Sequence, residues 1–191
     1  MRSSMIDLVD RLRSSIADTD PNNYAISDDR LQEILDARRL DFWQDALMPV
    51  VTQVGIGSVE YKVYQSSYRN IEGTVGTVSA YRLYDGNGSA VTGYTFDAIG
   101  GRFDFTSNQA GSARYLDGKS YDLNGAIADG WRERASQQSN LYDFKVEGRS
   151  YSRSQWFEHC VVMAKSFDLL STGRGTFNRD TGSIERGDMS C

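Results

Sequence analysis

Apolar residues recur at helical spacing at the start of the chain. Met5, Leu8, Val9, Leu12 and Ile16 keep the i, i+3, i+4, i+7 rhythm of one helical face. Ser4 is placed to cap the first amides, with Asp7 three residues on as a capping-box partner. Pro21 disfavours helical geometry in the residue before it, so this helix ends before Thr19. Ser27 predicts a second N-cap, with Asp28 and Asp29 in the first turn, where the helix dipole favours negative charge. Leu31, Ile34 and Leu35 mark the buried face of that helix, and Phe42, Trp43 and Leu47 read as its extension.

The period then changes. Val59, Tyr61 and Val63 alternate with Glu60, Lys62 and Tyr64, as in a half-exposed strand. Val78 to Tyr84 is a second candidate strand, followed by the tight-turn signal Asp85-Gly86-Asn87-Gly88. Tyr94 and Phe96 form a third, Gly100-Gly101 turns the chain, Phe103 and Phe105 form a fourth, and Tyr115 to Asp117 a short fifth. This predicts an antiparallel meander.

Helical spacing returns after Ser120 or Asp122 as cap, with Leu123, Ile127, Trp131 and Ala135 inward beside Ala126 and Ala128. Gly125 and Gly130 each cost roughly 1 kcal/mol relative to Ala in a helix, so packing or close backbone approach must explain them. Leu141 to Val146 alternates, Gly148 turns, and a longer helix spans about 152–170 with Trp156, Phe157, Cys160, Val161, Ala164 and Phe167 inward. At ~1.5 Å per residue it is roughly 28 Å long. After Leu170 only Phe177, Ile184 and Met189 are large and apolar, too few to order the segment alone. It reads as a frayed tail or as a segment that orders on a partner with Phe177 as anchor. The expected fold class is α+β. Residues 1–50 and 121–170 form one bundle of about four helices, 55–120 an inserted antiparallel β-meander, and 171–191 an extended tail.

Composition narrows the function. The 191 residues are 39% hydrophobic and 25% charged, enough for a packed core. A net charge of −5 argues against a chain whose main task is gripping nucleic-acid phosphates. Residues 1–45 hold six basic and ten acidic residues, so the negative excess is concentrated there. One histidine and two cysteines exclude a His-rich zinc site and a disulfide framework. The N-terminus lacks the apolar stretch of a signal peptide, and the longest apolar run, Cys160 to Ala164, is far short of a membrane span. The expectation is a chain made in a reducing cytoplasm with free thiols.

Chemistry motifs are sparse. Asp18, Asp20, Asn22 and Asp29 fall at positions 1, 3, 5 and 12 of a calcium loop, but Asn23 stands where Gly is needed and Pro21 interrupts it. Short Asx turns and an N-cap explain the same residues. His159 and Cys160 are neighbours, and neighbours on a helix point about 100° apart rather than at each other. Cys160 is assigned to the core and His159 to the surface. No P-loop, dinucleotide fingerprint or nucleophile elbow occurs. Tyr61, Tyr64, Tyr68, Tyr81, Tyr84 and Tyr94 fit either cross-strand packing or an interface or sugar-stacking face.

The order of these pieces resembles the head-to-tail connector proteins of long-tailed bacteriophages, also called adaptor or head-completion proteins. Four stretches carry the resemblance: Leu8-Val9-Asp10-Arg11-Leu12-Arg13 leading into Asp18-Thr19-Asp20-Pro21 and Ser27-Asp28-Asp29; Glu60-Tyr61 to Tyr68; Tyr115 to Leu123 with Ala126, Ala128, Asp129 and Trp131; and Phe144 to Gly148 followed by Arg149 to Gln155. The resemblance implies a virion protein of the neck, between capsid and tail, with no enzymatic activity and no cofactor. It would form a dodecameric ring docked on the portal protein. Its partners would be neighbouring copies and the next neck or tail protein, and DNA would pass through without sequence-specific contact. Asp28, Asp29, Glu33 and Asp36 are candidate channel-facing acids by charge density. Arg174, Phe177, Arg179 and Ile184 are candidate portal contacts in the tail. The alternatives are a β-rich carbohydrate- or surface-binding module and another neck component, such as a stopper or tail-completion protein.

Overall fold

The first helical face forms as its spacing predicts. In the computed structural model, which describes residues 1–55, 58–75, 78–138, 144–146, 149–151 and 153–171, α1 spans Ile6–Ser15 after a 3-10 turn at Ser3–Met5. Met5, Leu8, Val9, Leu12 and Ile16 are all buried. Ser4 does not cap it: Ser4 lies inside the 3-10 turn, and its hydroxyl donates to Glu72 at 2.6 Å. Ser27 does cap α2 (Asp28–Asp36), accepting from the Arg30 amide at 3.3 Å. Leu31, Ile34 and Leu35 face inward.

Helix does not continue through Phe42. Residues Arg39–Ala46 form strand β1, which pairs antiparallel with β9 (Arg114–Tyr121), Phe42 opposite Gly118. Phe42 is buried and stacks on Tyr68 with centroids 4.1 Å apart, whereas Trp43 turns outward and is 73% exposed. Two adjacent aromatics suit a helical face locally. Pairing with a strand more than 70 residues away overrides that preference. β structure therefore begins at Arg39, inside the span expected to be helical.

The strands are not a simple meander. β2 (Met48–Gly55), β3 (Ser58–Gln65), β7 (Tyr94–Asp97) and β8 (Arg102–Phe105) form one sheet in the order β2-β3-β8-β7. β1, β9 and β6 (Arg82–Asp85) form another, in the order β1-β9-β6. The predicted strand from Val78 to Tyr84 divides into β5 (Val78–Ser79), paired with β4 (Thr74–Val75), and β6. The short fifth strand becomes eight-residue β9, flanked on both sides. At Gly100-Gly101 the chain turns with Gly101 at φ +68° and its Cα facing the Tyr68 carbonyl, a close approach only glycine permits. Phe42, Leu47, Tyr64, Ile71, Leu83, Phe103, Phe105 and Leu116 make the core of this β region.

The chain then returns to helix. Asp122 caps α3 (Leu123–Gln138), its carboxylate accepting the Gly125 amide at 3.2 Å. β10 (Phe144–Val146) and β11 (Arg149–Tyr151) form a small hairpin before α4 (Arg153–Asp168). Ile127, Trp131, Ala135, Cys160 and Ala164 join the residues of α1 and α2 in a second core. Phe157, expected inward, is exposed. A Cβ on Gly130 would sit 2.9 Å from Ile16 Cγ2, so α3 approaches α1 where a side chain would hold them apart. Among the described residues, four α-helices and antiparallel sheets make this an α+β protein.

Candidate functional site

The candidate acids lie on α2, and each has a cation. Asp28 accepts from Arg13 at 2.6 Å, Asp36 from Arg2 at 2.6 Å and Glu33 from Arg30 at 2.8 Å, while Asp29 pairs with the amino terminus of Met1. Arg30 also reaches Glu133 of α3 at 3.0 Å. Charge density alone suggested a bare acidic strip; the structure shows a compensated one. Exposed pairs such as Arg30–Glu33 contribute little to stability, whereas the Arg13 that holds Asp28 is buried; all of them weaken the field a polyanion would meet.

The residues of the calcium-loop pattern form an arginine-centred knot. Asp18 accepts from Arg13 at 2.7 Å and from the Ala25 and Ile26 amides at 2.8 and 3.1 Å. Asp20 accepts the Asn22 amide at 3.0 Å in an Asx turn. Among the described residues, no three His, Cys, Asp or Glu side chains are grouped to hold a metal ion.

A buried polar network joins the N-terminus to the sheets, and nothing in the sequence pattern announced it. Glu72 is 2% exposed and accepts from Ser4 at 2.6 Å and Tyr121 at 2.8 Å, with Arg2 Nε at 3.3 Å and Lys119 Nζ at 3.7 Å. Burial pushes the Glu72 carboxyl up, but the two hydroxyl donors and the two cations outweigh it and hold the group below the ordinary carboxylate range. Burial and donation to Glu72 together raise the Tyr121 phenol. With both Glu72 oxygens accepting a hydroxyl, this network ties the first residues of the chain to β9. Its members are dozens of residues apart, which is why periodicity could not show it.

The remaining candidates divide. Cys160 is fully buried and its thiol is pushed up by burial; His159 stacks on Trp156 at 5.5 Å and is exposed, so the two do not form a reacting pair. The sheet tyrosines mostly pack within the molecule: Tyr64 is buried, Tyr68 covers Phe42, Tyr81 leans on Phe96 at 4.4 Å and Tyr94 meets Phe103 at 5.4 Å. Arg174, Phe177, Arg179 and Ile184 lie outside the described residues. The last described residue, Ser171, donates to Asp122 at 2.5 Å, and Leu170 accepts from Asn124 at 3.0 Å, so the chain is held against the start of α3 just before the tail. Gly125 leaves the room for it: a Cβ there would lie 3.0 Å from Ser171 Oγ.

Among the described residues, the exposed apolar side chains include two sets on different elements. Met48, Val50 and Val51 lie on β2, an edge strand, with Val59 beyond them on β3. Val162, Leu169 and Leu170 lie along and just past α4, Leu169 being 87% exposed. No family model, no curated protein and no solved structure matches this chain.

Proposed function

We propose that this chain is a structural component of a bacteriophage neck, a head-to-tail connector that closes into a ring on the portal protein and continues the DNA channel. The observation that carries the reading is the pair of exposed apolar groups on different elements, β2–β3 and the end of α4. A ring needs a heterologous interface, in which one patch on each copy meets a different patch on the next. Two distinct patches fit that requirement, whereas a two-fold dimer needs only one. The compensated face of α2 agrees with DNA sliding past, since it offers neither a cationic grip nor a strong anionic barrier. The tail 171–191 is the proposed portal contact, with Phe177 as its anchor.

The test is the mass of the protein alone and mixed with portal, measured by light scattering. A chain that is monomeric alone and assembles on the portal supports the reading. A chain that never joins the portal, with or without residues 171–191, ends it. Leu169→Asp should block assembly while the monomer stays folded.

A further inference from the structure

The three-stranded sheet turns one face to its core and one to solvent. Phe42, Leu83 and Leu116 point inward. The alternate positions carry Asp41 and Trp43 on β1, Arg82 and Tyr84 on β6, and Tyr115, Asp117 and Lys119 on β9. The register sets Asp41 opposite Lys119 and Arg82 opposite Asp117. Asp41, Trp43, Tyr81, Arg82, Asp117 and Lys119 line a shallow groove of about 380 Å³. That is within the range of small-ligand sites, roughly 300–1,000 Å³.

The polar groups of this groove are held before any ligand arrives. Asp117 accepts from the Gln44 amide at 2.8 Å and the Tyr84 hydroxyl at 2.9 Å. Arg82 donates to the Gly88 carbonyl at 3.1 Å and lies 5.0 Å from the centre of the Tyr84 ring. Asp41 is bridged to Arg39 at 3.0 Å. Fixed side chains lose little freedom on binding.

The charges decide the ligand class. Asp41 is neutralised by Arg39 and Lys119 lies beside Glu72, which leaves one carboxylate, Asp117, and one cation, Arg82, in balance. A nucleic acid or acidic polymer would need a surplus of cations. A protein partner held by apolar contact would need a continuous apolar patch, and here Trp43 stands among charges. What fits is a neutral ligand with apolar C–H faces and many hydroxyls that both donate and accept. Trp43, at 73% exposure, offers a free platform for the C–H face. We infer that this groove binds a neutral oligosaccharide, one sugar ring lying on Trp43 and its hydroxyls reaching Asp117 and Arg82. The inference is independent of ring assembly, which uses other surfaces.

The test applies the full chain to an array carrying maltohexaose, cellohexaose and chitohexaose beside acidic uronate hexamers, with titration calorimetry on whatever is retained. The expected result is retention of a neutral oligosaccharide, weakened about tenfold or more by Trp43→Ala and less by Arg82→Ala. Asp7→Ala, on the exposed side of α1 and away from the groove, should leave sugar retention unchanged. Retention of acidic hexamers alone, equal binding by Trp43→Ala, or no retention would overturn it. So would loss of self-association in Trp43→Ala without any sugar bound, which would make the face a protein contact.

Discussion

Arg13 is the residue whose removal tests the fold most directly. It is 5% exposed and carries a full charge. Its guanidinium donates to Asp18 at 2.7 Å, to the Ile26 carbonyl at 2.9 Å and to Asp28 at 2.6 Å, and it lies 3.6 Å above the Tyr24 ring. The whole connection between α1 and α2 is thus wrapped around one cation. Arg13→Met keeps most of the stem's volume and removes every donor. Asp18, at 4% exposure, would remain as a buried anion holding only the Ala25 and Ile26 amides. Breaking one side of a buried pair costs about 3–5 kcal/mol, and the two surviving amides place this case near the lower end, about 3 kcal/mol.

For a chain of this length, each kcal/mol shifts the midpoint by about 2–4 °C, so thermal unfolding followed by circular dichroism should show a fall of about 6–12 °C. Adding Asp18→Asn to Arg13→Met should cost less than Asp18→Asn in the wild type, because the stranded charge is gone; a coupling of about 1–3 kcal/mol is expected. A loss below about 1 kcal/mol, or strictly additive variants, would show that apolar contacts such as those of Ile16 and Ile26 order the loop unaided. Calcium should leave the wild-type midpoint where it is, since Arg13 and backbone amides occupy the Asp18 oxygens. A rise on adding calcium would restore the cation-loop reading.

Three further outcomes follow from the same geometry. Glu72 has a folded-state pKa below its unfolded one, so its contribution is present above about pH 4.3 and is lost as pH falls through the lower folded value; Glu72→Gln should lose about 1.5–3 kcal/mol at pH 7 and flatten the acid limb of the stability curve from urea titrations, and an unchanged limb would discount the network. Gly101→Ala forces a side chain into the left-handed region against the Tyr68 carbonyl, and should cost at least about 2 kcal/mol; a urea midpoint equal to the wild type would contradict that packing. In a Cys191→Ser chain, native Cys160 should resist maleimide labelling and react only on unfolding, because the thiol is buried and its thiolate disfavoured; rapid native labelling would place it elsewhere.

What the sequence revealed is local. The faces of α1 and α2, the Ser27 cap, the Asp122 cap and the inward row on α3 all rest on spacing within one or two turns, and all are present. The two glycines of α3 were readable as a cost needing a cause. The causes, Ile16 against Gly130 and Ser171 against Gly125, are contacts between distant segments that no local pattern encodes. The same limit explains the strand order. Alternation marks β3 and β8 as strands, but the β1–β9 and β3–β8 pairings depend on which edges meet, and that is decided by the shared core of Phe42, Tyr64, Phe103 and Leu116.

The surfaces follow that rule with a sharper consequence. The acids of α2 were visible as charge, but their partners were not, because Met1 and Arg2 are brought to them by a turn whose Ser4 and Arg2 are anchored on Glu72. Trp43 was misplaced for a more instructive reason. Read with a period of 3.6, Phe42 and Trp43 share a buried face; read with a period of 2, one is in and the other out. The half-buried Leu40 and buried Phe42 follow the second rhythm, and Asp41 and Trp43 occupy its outward positions. An indole at an outward strand position, between carboxylates and cations, adds nothing to the core it turns its back on. The proposed neutral, hydroxyl-rich ligand would cover that indole, and the balanced charge around it favours such a ligand over a polyanion.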